Sequence, residues 1–133
     1  MRSFQLTDSL NIFLTSRNDW REGKMAIYQI EIRSAAMPGQ EEAYEEWYNG
    51  THLGEVLEVD GFLSGQQFRL PEVSEAGHTH AAYFRVETDD PAATLATLGE
   101  TFASGTMTPT DALNRSIEAS ALVLAPTGAA QGR

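Results

Sequence analysis

From residue 25 onward the chain alternates strand-like and helix-like segments in the order β, α, β, β, α, β, and nothing else in it restricts the fold as far. Each strand-helix-strand passage returns to its sheet with one handedness, so two such passages joined by a hairpin leave few topologies. The first strand is expected over residues 26–33, where Tyr28, Ile30 and Ile32 share one face and Gln29, Glu31 and Arg33 the other, the two-residue period of a half-buried strand. Pro38-Gly39 then opens a helix with acid in its first turn, which suits the positive end of the helix dipole. Ala43, Tyr44, Trp47 and Tyr48 form its apolar stripe, opposite Glu41, Glu42, Glu45 and Glu46, which read as a solvated face. Gly50 is expected to break this helix, with a short second turn through Leu53, Val56 and Leu57 leading to the Asp60-Gly61 turn.

Residues 62–70 read as the second strand, 71–77 as a loop punctuated by proline and glycine, and 79–87 as the third strand. Asp90-Pro91 starts the second helix, because Asp caps free amides and Pro is tolerated at the first helical position. Leu95, Leu98 and Phe102 give that helix its stripe, Gly105 its stop, and residues 117–124 the fourth strand. The fold class this implies is α+β, a ferredoxin-like βαββαβ unit with four antiparallel strands and both helices on one face. The other face is expected to carry Gln29, Glu31 and Arg33, then Leu63, Gln67 and Arg69, then Ala81, Tyr83 and Arg85. That set is too charged for a dry core and too apolar for a surface facing only water, and a polar pocket closed by a second subunit fits both. Residues 1–24 lack a sustained period, although Leu10, Ile12, Phe13 and Leu14 suit a short strand, and they read as an extension. Residues 125–133 read as a small, polar, flexible tail.

A length of 133 residues suits one domain. No stretch approaches the roughly 20 apolar residues that cross a bilayer, and the N-terminus lacks a secretory pattern, so a cytoplasmic protein without membrane partners is expected. The absence of cysteine removes disulfides, thiol nucleophiles and thiolate metal sites together. A net charge of −10 with nine scattered basic residues argues against a nucleic-acid surface.

Chemistry is concentrated at residues 47–56, where Trp47, Tyr48, Asn49 and His52 crowd one helix end. Imidazole is the side chain that gives and takes protons near neutral pH, so His52 is the candidate general base, set against the plainer reading of a hydrogen-bonded core histidine. Tyr48 and Asn49 are candidates to orient a substrate, and Trp47 to wall an apolar pocket. Arg69 is a candidate to hold an oxyanion or carboxylate through its two-pronged fork. Tyr83, on the pocket face, and Tyr28, on the helix face, are further candidate donors. Glu55 reads either as a partner for His52 or as a solvated group. Against these roles, Trp47 and Tyr44 also suit the core, and Arg69 and Arg85 suit pairing with Glu31 across the sheet. His78-Thr79-His80 has the i, i+2 spacing that can clamp a metal from one strand face, although a solvated strand start explains it more simply. Haem ligation by His52 or His80 has no further support. There is no glycine-rich phosphate loop and no His-Glu-x-x-His helix, so neither cofactor nor metal is expected.

The run Glu45-Glu46-Trp47-Tyr48-Asn49-Gly50-Thr51-His52-Leu53, followed by Val59-Asp60-Gly61-Phe62 and Gln67-Phe68-Arg69-Leu70, resembles the EthD-like branch of the dimeric α+β barrel superfamily. The chain departs from that pattern at Gly54 and Asp60, where relatives carry proline, and both changes loosen the turn. The resemblance covers residues 25–124. It implies a homodimer whose two sheets close into an eight-stranded barrel around substrate cavities. Chemistries in the superfamily range over cofactor-free monooxygenation, isomerisation, polyketide cyclisation, dehydration and haem degradation, so the reaction has to come from the residues. The leading expectation is a cofactor-independent lyase, isomerase or cyclase acting on a small hydrophobic, aromatic or polyketide-like molecule. The alternatives are a non-catalytic binding or accessory protein of a catabolic pathway and a cofactor-free monooxygenase.

Overall fold

Alternating side chains at residues 26–34 are realised as strand β1 (Ala26–Ser34), whose Tyr28 and Ile30 are buried. The structure is a computed structural model describing residues 25–133; the extension read over 1–24, with its strand-like Leu10 to Leu14, lies outside the described residues. Beyond β1 come helix α1 (Glu41–Trp47), a π turn (Tyr48–His52), helix α2 (Leu53–Val56), β2 (Phe62–Arg69), β3 (His80–Thr88), helix α3 (Pro91–Ala103) and β4 (Ser120–Leu124). The strands form one sheet in the order β2-β3-β1-β4 with every neighbour antiparallel. Tyr44, Tyr48 and Val56 share a single core with Ile30, Phe84, Val86, Val123, Leu95 and Leu98, which places all the helices on one sheet face. This is the ferredoxin-like α+β arrangement. No helix among the described residues is long and apolar enough to cross a membrane.

Helix α3 begins where Asp90-Pro91 predicts, with the Asp90 carboxylate accepting from the Ala93 amide at 3.1 Å. Its end falls just before Gly105, which takes a φ of +80°, a left-handed conformation that costs glycine little.

Three expectations about α1 and β2 are corrected. Gly50 does not break the first helix: Tyr48, His52 and Leu53 all keep helical angles, and the Leu53 amide bonds back five residues to the Tyr48 carbonyl. One extra residue is absorbed as a wide turn, and the packing of Tyr44, Tyr48 and Val56 outweighs the glycine's entropic cost of about 1 kcal/mol. Ala43 is exposed, so the inward stripe is Tyr44 and Tyr48, both buried, with Trp47 half-buried beside them. The third correction concerns β2, where the register shifts between Phe62 and Ser64. A bulge inserts one residue and exchanges the faces of everything after it. Gln67 and Arg69 therefore stand on the helix side, opposite Ala82 and His80, while Gln66 and Phe68 stand on the outer face. Gly65 lies opposite Phe84, and a β-carbon there would come within 2.5 Å of the Phe84 ring.

Residues 117–119 stay outside β4, because the Ile117 amide turns back to the Asn114 carbonyl and the Glu118 carbonyl is bonded to His78 Nε2 at 2.8 Å.

Candidate functional site

The π turn decides which rings meet. Residues five apart on an α-helix are roughly 140° apart around its axis, yet here Trp47 and His52 stack with centroids 4.5 Å apart and planes at 18°. Tyr48 meets His52 edge-on at 4.8 Å, and Phe102 of α3 does so at 5.8 Å. His52 is thus wedged among three aromatic rings. Its Nδ1 is buried and has no hydrogen-bond partner among the described residues. Leaving a polar atom in that state costs about 1–3 kcal/mol, so such atoms are few, and Gln67 Nε2 is the other one among the described residues. Burial among the rings pushes the imidazole pKa down to about 4, against a smaller upward pull from the Glu55 carboxylate. At neutral pH the ring is therefore neutral and its free nitrogen can accept or, in the other tautomer, donate.

The same rings wall a cavity of about 70 Å³ that is open to solvent on one side. Cavities of about 150 Å³ hold benzene, so a ring-sized ligand here projects through the mouth or displaces part of the wall. Polar residues among its lining include Ser34 and Tyr44, whose hydroxyls are 2.6 Å apart, as well as Asn114 and Arg115. Burial raises the Tyr44 pKa to about 12, with the Ser34 hydrogen bond opposing it, and keeps the phenol protonated.

The loop from residue 104 to 119 closes one side. It is fastened by Trp47 Nε1 donating to the Thr108 carbonyl at 3.1 Å and by the Glu55 carboxylate accepting from the Thr108 amide and hydroxyl. Glu55 is therefore a clasp for this loop and makes no hydrogen bond to His52. Further along, the Asn114 amide bonds to the Ala35 carbonyl at 2.8 Å and Leu113 bridges to Ala36, which carries Arg115 to the cavity wall.

Of the residues singled out from the sequence, the fold brings His52, Trp47 and Tyr48 together at this cavity. Asn49 is exposed, and its amide donates to the Glu45 carbonyl at 2.8 Å, closing a helix carbonyl. Tyr28 lies in the core and off the cavity wall. Tyr83 is on the opposite sheet face, donating to Glu31 at 2.6 Å while Arg33 holds the same carboxylate. Arg69 faces the helices but pairs with Glu45 rather than Glu31, and Arg85 makes no ion pair among the described residues.

Glu45, read as a solvated face, is instead the hub of a network. Its Oε2 accepts from Arg69 Nε at 2.5 Å and from the fully buried His80 Nε2 at 2.7 Å, and the Arg69 hydrogen bond, then that of His80, holds its pKa down at about 2. His80 Nδ1 in turn faces the Thr79 hydroxyl at 2.6 Å, which accepts from the Ala36 amide. His78 and His80 thus turn to different partners, Glu118 and Glu45, and do not converge as a metal clamp. Sequence reading missed Ser34 and Arg115. Arg115 left one signal, being the only Lys or Arg between Arg85 and Arg133.

Fold and site together describe a ferredoxin-like α+β protein with an aromatic cleft between sheet and helices. No family model matches the chain, and no curated protein matches it. One similar solved structure is a monooxygenase from the gene ActVA-Orf6 of Streptomyces coelicolor in complex with the ligand nanaomycin D. It is 16% identical, the match covers 87% of this chain and 97% of that one, and the TM-score is 0.42.

Proposed function

We propose that the His52 cleft is the active site of a small-molecule acid/base enzyme, a lyase, isomerase or cyclase of the EthD-like kind that works without a cofactor. The observation that carries this reading is the buried, unpartnered Nδ1 of His52 inside an aromatic-walled cavity. A small hydrophobic molecule, aromatic or polyketide-like, lies against the rings of Trp47 and Tyr48, and Nδ1 takes a proton from its carbon or hydroxyl. The imidazolium so formed is paired with the substrate's own anion until the proton is returned at another position or to a leaving group. Because burial holds the pKa at about 4, the base form is already present at neutral pH. The protein works as a cytoplasmic homodimer, with neither nucleic acid nor membrane as partner.

His52→Gln is expected to lower turnover at least roughly 100-fold, within the usual range for a positioned acid/base, with the fold retained. An unchanged rate dismisses the assignment. The low pKa also suits a second reading, a binding or accessory protein in which a neutral imidazole only hydrogen-bonds its ligand; affinity without turnover would establish it. Oxygen uptake coupled to turnover would point instead to cofactor-free monooxygenation.

A further inference from the structure

The chain carries 19 acidic residues, yet among the described residues none of their carboxylates lines the His52 cavity, whose one charged side chain is Arg115. Arg115 makes no hydrogen bond or ion pair through its guanidinium among the described residues. Its backbone is held on both sides. Asn114 is bonded to the Ala35 carbonyl, and Asn114 Oδ1 accepts from the Ser116 amide at 3.1 Å and hydroxyl at 2.6 Å, forming a tight turn around Arg115. Such a turn fixes where the Arg115 side chain begins.

A second observation points the same way. The Ser34 and Tyr44 hydroxyls have two protons and spend one on the hydrogen bond between them. The other proton has no acceptor among the described residues, and Ser34 and Tyr44 are both among the residues that line the cavity. Ser34 precedes Ala35, whose carbonyl anchors Asn114, so the backbones that carry the unspent donor and the cation are joined by that hydrogen bond.

We propose that the cleft selects an anion: an aromatic or otherwise apolar small molecule bearing a carboxylate or enolate oxygen, with Arg115 as the specificity-determining residue. The ring occupies the aromatic walls and its charged group meets Arg115 at the mouth, which also accounts for a cavity smaller than a whole ring. An anionic oxygen accepts charge-assisted hydrogen bonds that a neutral isostere does not. The inference rests on the reading of the cleft as a ligand site and deepens it.

Benzoate and benzamide share a shape and differ in charge, so each is titrated against the full chain and followed by amide and imidazole NMR shifts. Benzoate is expected to bind roughly tenfold more tightly, a difference of about 1.4 kcal/mol, and added salt should weaken benzoate alone. Arg115→Gln, an exposed position, should erase the preference without changing benzamide binding. His52→Gln should keep the preference. Equal binding by the wild type, or a preference that survives Arg115→Gln, overturns the anion assignment and leaves His52 untouched. If neither probe shifts any cleft resonance at millimolar concentration, the cleft is not a ligand site and both readings fall.

Discussion

His52 links burial to acid sensitivity in a way that can be measured. The unfolded chain protonates this imidazole near its ordinary value of 6.5, but the folded chain does so only near 4. Between those values the unfolded state holds more protons, so folding weakens as pH falls, and the loss is complete below about 4. At 1.36 kcal/mol per unit the loss is at most about 3 kcal/mol. Chemical denaturation of the wild type and of His52→Gln should therefore diverge between pH 6.5 and 4, with the variant flatter; parallel curves would mean that the imidazole is not desolvated. Glu45 acts in a separate window. Its pKa is held at about 2, so its contribution is present above about 4.5 and is lost below it. If His52 is the base, the acid limb of kcat/KM should likewise fall near 4 and not near 6.5. His52 was legible in the sequence because residue type carries chemistry by itself, and its aromatic neighbours stood within a turn. Arg115 was not, because it sits in a loop without a period, and only the backbone bonds around Asn114 bring it to the cleft.

At the level of elements, the strand and helix order could be read but two single-residue insertions could not. The bulge in β2 and the π turn each add one residue to a regular run, and a periodicity averaged over a window passes over such a change. Their consequences are large: the first turned Arg69 toward Glu45, and the second put His52 against Trp47. Gly65 records the close approach that follows the bulge. Gly65→Ala is expected to cost about 1–3 kcal/mol, because the new methyl meets the Phe84 ring inside a packed core, and a fall in the denaturation midpoint measures it. The Glu45 network ties α1 to β2 and β3 through one carboxylate. Glu45→Ala leaves the buried His80 Nε2 without its acceptor and should cost about 1–3 kcal/mol. Glu45→Gln keeps an acceptor oxygen and should cost less than half as much. Equal losses in the two variants would show that charge, not the hydrogen bond to His80, holds the network together.

Over the whole molecule, the helices cover one face of the sheet and, among the described residues, leave the other open. Register sets out that outer face in rows: Phe68 beside Ala81 and Arg33, Gln66 beside Tyr83, Glu31 and Leu122, and Ser64 beside Arg85, Gln29 and Leu124. Phe68, Leu122 and Leu124 are 46%, 45% and 39% exposed, although each belongs to a strand. Apolar side chains are thus grouped on one face, with a Tyr83-Glu31-Arg33 network between them, a pattern that suits association. The alternation in β1 and β3 showed which of their side chains point away from the helices, but a chain's period cannot say what covers them. In the homodimer proposed above a second copy covers this face across a two-fold axis, the commonest closed symmetry of soluble oligomers. Leu122→Glu sets a carboxylate beside Glu31 and would bring four like charges together in a pair of subunits, without touching the helix-facing core. Sedimentation should find the wild type dimeric and this variant monomeric at the same concentration, with thermal unfolding still cooperative. A wild-type monomer, or a variant dimer of unchanged affinity, would remove the outer sheet face from any role in assembly.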